Sequence, residues 1–135
     1  MREVAQYLIM LLALLTIQRP AIAPNPPGQM AETAPQMVYA GEYTIVAYCA
    51  EQYPHICGGN PTTASGEPVT PGVTVAADPA VLPLGTRVYI DGVGERVVQD
   101  TGGAIHGQKI DLAVESHAEA VDWGVQHKGV WICSN

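Results

Sequence analysis

VVQDTGGAIHGQKIDLAV, from Val97 to Val114, is the stretch of sequence that best indicates the fold. Its two apolar ends are typical of short strands, and the glycine-rich centre is typical of a tight connection between them. Each predicted strand carries one aspartate, Asp100 or Asp111, in or next to apolar residues. Because charged side chains are seldom buried without a partner, these two carboxylates need an explanation.

The same pattern of short apolar or alternating runs, separated by glycine and proline, continues over most of the chain from about Val38. Asp91-Gly92-Val93-Gly94 separates two such runs and is a strong hairpin signal. The pattern predicts an all-β fold, a compact closed barrel of six strands. The predicted strands are Tyr43–Cys49, Val73–Ala77, Thr86–Ile90, Glu95–Gln99, Ile110–Val114 and Gly129–Cys133.

One short helix is predicted near the C-terminus. Ser116 and Glu119 form a capping-box pattern, in which each side chain accepts a hydrogen bond from the other residue's backbone N–H. The helix then continues to Trp123, and Gly124 can adopt the left-handed backbone that ends a helix.

Residues 1–23 have the composition of an export signal. Val4–Ile17 is almost entirely apolar but shorter than the roughly 20 residues that a membrane span needs, and small residues follow at Ala21-Ile22-Ala23. Pro24 after the expected cut makes an awkward protease substrate, so the segment could also remain as an anchor. We expect a secreted or cell-wall-associated protein that meets a membrane only through this segment.

Residues 24–40 are rich in proline and predict a flexible linker, which leaves 41–135 for the barrel domain. From Pro24 onward the chain holds four Lys and Arg against twelve Asp and Glu, a net charge of −8 with neutral histidines. Nucleic-acid binding depends on clustered cations, so this charge excludes nucleic acid as a partner.

The chain has three cysteines, Cys49, Cys57 and Cys133. An exported protein can pair two of them, and three pairings are open. We favour Cys49 with Cys57, which would close the loop between them. The same cysteines with His55 could in principle bind zinc, but a paired C-x-x-C spacing is missing, and we expect no metal.

A wider pattern connects three aspartates. A third aspartate, Asp78, lies in the segment Val75–Gly92, upstream of the segment that carries Asp100 and Asp111. The two segments together resemble the 3D domain of secreted Gram-positive wall proteins, which is named for three aspartates. They are also similar to the catalytic part of MltA-type membrane-bound lytic transglycosylases. The resemblance runs from about Tyr43 to Ile132 and implies a six-stranded double-psi β-barrel. Its most specific elements are TASG (63–66), TPG (70–72), PLGT (83–86), DTGGAIHG (100–107), ID (110–111) and WG (123–124).

The resemblance implies cleavage of peptidoglycan glycan strands without a cofactor. Ordinary glycosidases need two carboxyl groups. In a lytic transglycosylase the 6-hydroxyl of the N-acetylmuramic acid (MurNAc) ring attacks its own anomeric carbon. This breaks the β-1,4 bond to N-acetylglucosamine (GlcNAc) and gives a 1,6-anhydro product, so one carboxyl group can serve first as acid and then as base. That group must hold a proton near neutral pH, whereas the pKa of an ordinary Asp is about 3.9.

Asp111 is our candidate for this acid and base. Strand alternation points it away from the face of its neighbours Ile110 and Leu112, and the resemblance favours the third aspartate. We expect Asp100 to tune its pKa and Asp78 to support the site, although Asp100 could instead serve only to form the glycine-rich turn that follows it. Asp78 before Pro79 could equally be a structural cap. The hypothesis requires the three carboxylates to meet in one cleft, where burial and like charges raise a pKa.

Five further residues are candidates for substrate binding. Gly102 and Gly103 allow close approach of a sugar chain, although they could simply form a turn. Thr101 and Ser65 could bond sugar hydroxyls, and Tyr48 could stack on a sugar ring or pack in the core.

The expected partner is the peptidoglycan glycan strand, and we expect a monomer. A non-catalytic wall-binding or wall-loosening module is the alternative function, because fold alone does not fix activity.

Overall fold

The computed structural model describes residues 35–51 and 60–134, and the structural statements below concern these residues. The predicted export segment and most of the predicted linker lie outside them. The strands are β1 (Gln36–Cys49), β2 (Thr74–Ala77), β3 (Arg87–Ile90), β4 (Gly94–Asp100), β5 (Lys109–Val114) and β6 (Gln126–Ser134), and the helix α1 (His117–Trp123) lies between β5 and β6.

The six strands form a closed barrel in the order β1-β5-β2-β4-β3-β6. Two of the pairs, β1 with β5 and β2 with β4, are parallel, and the other four are antiparallel. Parallel neighbours cannot be joined by a tight turn, and neither parallel pair is formed by strands that are consecutive in the chain. This closed six-stranded barrel with one short helix confirms the predicted fold class.

Every second side chain along a strand points into the core of the barrel, because successive side chains of a strand point to opposite faces. Ile110 and Leu112 of β5 are buried in it, and Asp111 between them therefore points to the outside of the barrel. The other fully buried aliphatic residues come from the other five strands and from the turn before β3: Ile45, Val75, Leu82, Val88, Ile90, Val98 and Val130.

All six predicted strands are present, but β1 is longer than predicted. It begins at Gln36, inside the predicted linker, because its first half pairs antiparallel with β6. Residues 36–39 are exposed on both faces, so no alternation of buried and exposed positions marks them as a strand. A register shift between Tyr39 and Gly41 separates this ribbon from the part of β1 that enters the barrel, and Gly41 has a φ of 122°.

The predicted helix is also confirmed, with one difference at its start. Ser116 is the N-cap, and its Oγ accepts a hydrogen bond from the Glu119 N–H at 3.2 Å. The Glu119 carboxylate accepts from the Glu115 N–H at 3.1 Å instead of from Ser116. Trp123 at the end of the helix donates from its indole N–H to the Ile45 carbonyl at 3.2 Å, which fixes α1 against β1. None of the described helices is long and apolar enough to cross a membrane.

The cysteines differ in state. Cys49 at the end of β1 is disulfide-bonded, and Cys133 on β6 is a free thiol. Cys57, the predicted partner of Cys49, lies outside the described residues, so that pairing stays a prediction.

Candidate active site

A row of residues across four neighbouring strands forms the floor of the candidate site. Val46 on β1 lies opposite Asp111 on β5, and Asp111 lies opposite Ala76 on β2. Ala76 in turn lies opposite Asp100 on β4, after a register shift that follows Val75. Strands are spaced about 4.8 Å apart, so the Cα atoms of the two aspartates are about 10 Å apart. Ala76, whose side chain is a single methyl group, stands between them and lines the same cavity as the two aspartates.

A cavity of roughly 490 Å³ lies over this row. Its size falls within the range of ordinary ligand pockets. Asp100 and Asp111 both face it, and Tyr48 and the segment before β2 contribute to its walls. The described residues that line it are Tyr48, Asn60, Thr62, Thr63, Ala64, Ala76, Asp100, Thr101, Gly102 and Asp111.

Asp111 has the electrostatic environment that a catalytic acid requires. Burial raises the pKa of its carboxyl to about 6, the nearby charge of Lys109 opposes that rise, and the negative charge of Asp100 adds to it. Its Oδ1 atom is buried and makes no hydrogen bond to any described residue. The group can therefore hold a proton close to neutral pH and present it to a molecule in the cavity.

Asp100 is fixed by the backbone around it. Its Oδ1 accepts hydrogen bonds from the Thr101 N–H at 2.9 Å and from the Ala64 N–H at 3.0 Å. The first bond holds the carboxylate at the start of the glycine-rich connection, and the second ties the cavity wall to the end of β4. Asp100 therefore shapes the cavity and also places a negative charge near Asp111, as the predicted tuning role requires.

Tyr48 brings a hydroxyl to the same cavity. The hydroxyl is buried and without a hydrogen-bond partner among the described residues. Burial raises the pKa of this phenol, and the charges of Asp100 and Asp111 raise it further. Tyr48 therefore stays protonated across the physiological range, and its O–H is a donor that no described residue satisfies.

Asp78 is not among the residues that line the cavity, so the structure brings two of the three predicted carboxylates, Asp100 and Asp111, together there. β2 ends at Ala77, so Asp78 begins a turn and leaves the alternation of the strand. Its Oδ2 accepts from the Gly107 N–H at 2.8 Å and its Oδ1 from the Ala80 N–H at 2.9 Å. These two bonds, with Gly107 the stronger influence, lower the pKa of the partly exposed Asp78 carboxyl. Asp78 thus anchors the connection between β4 and β5, the strands that carry the other two aspartates.

The predicted substrate-binding residues divide into two groups. Thr101, Gly102 and Tyr48 line the cavity, whereas Ser65 and Gly103 are not among its lining residues. The Ser65 hydroxyl shares a hydrogen bond of 2.9 Å with the Thr63 hydroxyl, and its N–H donates to the Gln99 carbonyl. Ser65 therefore holds the wall segment against β4.

The two adjacent glycines predict a measurable contrast. A Cβ on Gly102 would lie 2.8 Å from Cγ1 of the buried Ile105, whereas a Cβ on Gly103 would meet nothing within 4 Å. We expect Gly102→Ala to lower the free energy of unfolding by about 1–3 kcal/mol, as overpacking does. Gly103→Ala, the matched control, should change it by less than about 0.5 kcal/mol. Urea denaturation of both variants checks this, and equal losses would contradict the assigned packing of Gly102.

Sequence reasoning missed several wall residues. Thr63 and Ala64 belong to the TASG motif, which was the available signal for them. Asn60 and Thr62 carry no such signal. Ala76 was missed because its position between the two aspartates depends on strand pairing, which the local pattern does not reveal.

A known family model matches part of the chain. Residues 73–134 match the model described as the 3D domain, which confirms the resemblance seen in the motifs. The match includes all three aspartates and strands β2 to β6. It does not include β1, which carries Tyr48, or the wall segment 60–64.

Two curated relatives, both from Bacillus subtilis (strain 168), align with part of the chain. The cell wall-binding protein YocH is 54% identical over 52 residues, which are 38% of this chain and 18% of that protein. The putative cell wall shaping protein YabE is 39% identical over 69 residues, 50% of this chain and 17% of that protein. The chain therefore spans less than a fifth of either relative.

Solved structures of lytic transglycosylases are also similar. MltA from E. coli is 26% identical, with a TM-score of 0.46 over 57% of this chain and 28% of that one. LtgG of Burkholderia pseudomallei is 26% identical, with a TM-score of 0.44 over 55% of this chain and 26% of that one.

Proposed function

We propose that this chain is an exported enzyme that cleaves peptidoglycan glycan strands at the MurNAc–GlcNAc β-1,4 bond, as a lytic transglycosylase with a 1,6-anhydro product. The observation that carries the proposal is the Asp111 carboxyl, which faces an open cavity and has a pKa raised to about 6. A carboxyl in that state is half protonated in mildly acidic solution, so it is suited both to give and to take a proton.

The reaction uses this group twice. Protonated Asp111 donates its proton to the glycosidic oxygen, and the bond to the leaving sugar breaks as positive charge develops on the MurNAc ring. The ionised Asp111 then takes the proton of the 6-hydroxyl, whose oxygen bonds to the anomeric carbon of the same ring. The carboxyl is restored to its protonated form, and no water enters the product.

The other cavity residues have supporting roles. The negative charge of Asp100, held by the two backbone N–H groups, favours the protonated form of Asp111 and the positive charge that develops on the sugar. The Tyr48 hydroxyl, with no partner among the described residues, is available to donate to a sugar oxygen. Thr101 and Gly102 form an edge where a saccharide can approach the backbone closely.

The curated relatives support the choice of substrate. One is named as cell wall-binding and the other as putatively cell wall shaping. A wall-associated function also agrees with the export signal expected in residues 1–23.

A second candidate function is a wall-binding module without catalysis, which the name of YocH favours. Mass spectrometry after incubation of the full chain with purified insoluble peptidoglycan separates the two. We expect soluble muropeptides with 1,6-anhydro ends. Reducing ends would instead indicate hydrolysis and overturn the proposed reaction. Sedimentation of the protein with the peptidoglycan without release of soluble products would favour the binding module.

The proposal also predicts how the rate depends on pH. The first step needs protonated Asp111, and a pKa of about 6 leaves only about a tenth of the carboxyl protonated at pH 7. We expect the rate of product release under kcat/KM conditions to fall about tenfold per pH unit above pH 6. Turbidity loss of a peptidoglycan suspension between pH 5 and 8 measures it, and a flat profile from pH 6 to 8 would contradict the role of Asp111 as acid.

A further inference from the structure

A row of three aromatic side chains crosses the outside of the barrel, away from the cavity. Trp131 on β6 lies opposite Tyr39 on β1 and opposite Tyr89 on β3. The ring centres of Trp131 and Tyr39 are 5.1 Å apart, and those of Trp131 and Tyr89 are 5.9 Å apart. Tyr39 is 58% exposed, and the other two are partly exposed. We call these three residues the aromatic row.

The backbone is adapted to the central ring. A Cβ on Gly129 would lie 2.9 Å from Cη2 of Trp131, 3.1 Å from its Cζ3 and 3.4 Å from Cε2 of Tyr39. The indole therefore lies close over the backbone of β6 and leans towards Tyr39, which only a glycine at position 129 allows.

A polar group continues the row on the next strand. Glu95 on β4 lies opposite Tyr89, and its carboxylate accepts a hydrogen bond from the Arg87 guanidinium at 2.9 Å. Both side chains are about half exposed. Ring faces with planar donors and acceptors at one end are the groups that recognise a sugar, whose C–H face is apolar and whose rim carries hydroxyls.

The aromatic row and the cavity are separate. The row lies on the first half of β1, on β6 and on β3, whereas the cavity floor lies on the second half of β1 and on β5, β2 and β4. In the closed strand order β6 and β3 are across the barrel from β5 and β2. None of the three aromatic residues lines the cavity.

We propose that the aromatic row is a second glycan-binding surface, which holds a neutral amino-sugar chain independently of the cavity. The chain has a net charge of −7 with six Lys and Arg in total, which disfavours nucleic acids and anionic lipid surfaces. A neutral saccharide meets no such repulsion. The Tyr39 ring is tilted by 53° and the Tyr89 ring by 63° to the Trp131 indole. The surface is therefore corrugated, whereas a second copy of the chain would cover a flat apolar patch.

The test uses two probes, chitohexaose and purified insoluble peptidoglycan, in an Asp111→Asn background that leaves the cavity in place but should not cleave. We expect Tyr39→Ala with Tyr89→Ala to weaken sedimentation with peptidoglycan and the response of tryptophan fluorescence to chitohexaose by about tenfold or more. The matched control is Val121→Ala with Val125→Ala, which removes two exposed apolar side chains elsewhere (64% and 67% exposed). The control should bind like the parent.

Further measurements keep the outcome clear. Tyr39→Ala alone, at an exposed position, serves if the double variant melts at a lower temperature, and it should still lose affinity. When Asp111 is intact, the variants with Tyr39→Ala, with or without Tyr89→Ala, should release anhydro-products from short soluble glycan strands at the parental rate. This measurement tests glycan binding by the aromatic row separately from cleavage in the cavity. If these variants bind the two probes as tightly as the parent does, the proposal is wrong. It is also wrong if the parent is a dimer in sedimentation equilibrium and the variants are monomers.

Discussion

Replacement of Asp111 by asparagine is expected to slow the release of anhydro-muropeptides by about 10²–10⁴-fold, the usual contribution of a general acid and base. Asparagine keeps the shape of the side chain, but its amide group cannot act as an acid or a base near neutral pH. The barrel should be unaffected, since Asp111 faces the cavity and the core contacts of β5 come from its neighbours Ile110 and Leu112. Release can be followed by liquid chromatography with mass detection.

Asp122→Asn is the matched control. It makes the same chemical change on the exposed face of α1, and parental activity is expected. Both variants should show the parental circular dichroism spectrum. If Asp111→Asn releases anhydro-products at the parental rate, another group supplies the proton and the mechanism proposed for this cavity is wrong.

The same substitution is expected to stabilise the protein at neutral pH. In the native state the pKa of Asp111 is raised to about 6, whereas in the unfolded chain it is close to the ordinary value of about 3.9. The native state therefore binds the proton more tightly, and the parent loses stability as the pH rises from about 4 to about 6. Two pKa units correspond to at most about 3 kcal/mol, and solvent access to the cavity reduces this to about 1–2 kcal/mol.

Guanidinium denaturation at two pH values measures the effect. At pH 7.5 we expect Asp111→Asn to be more stable than the parent by about 1–2 kcal/mol, and at pH 4 the difference should nearly vanish. Asp122→Asn should show no such pH-dependent gain. An advantage of the same size at both pH values would mean that Asp111 carries no buried charge in the native parent.

The strands that could be predicted from the sequence are those in which buried and exposed side chains alternate. Alternation identified the strands and pointed Asp111 away from the core, because each core side chain has to return to the same face. The first residues of β1 escaped prediction because the ribbon they form with β6 is exposed on both sides, so burial leaves no trace in their sequence. The helix was predictable from its capping residues alone.

The site was predicted in part, for a different reason. That Asp100 and Asp111 face one cavity depends on the place of β2 between β4 and β5, a long-range pairing that no local pattern encodes. Asp78 belongs to the same motif pattern, but it lies just past the end of a strand, where the turn sets the direction of its side chain, in line with the structural cap that Pro79 after it indicated. The Tyr48 hydroxyl could not be assigned either, since a tyrosine in an apolar strand is equally suited to the core.

The strand order also has a consequence for how the chain acquires its shape. The first strand is bonded to the fifth and to the last, so the cylinder cannot close until residues 126–134 have been made. Pairings between such distant segments form slowly. A polypeptide that is threaded through a translocation pore benefits from this delay, because it stays extended during transit. If residues 1–23 direct such a passage, the polypeptide would complete its structure, and with it the cavity around Asp111, only on the far side of the membrane.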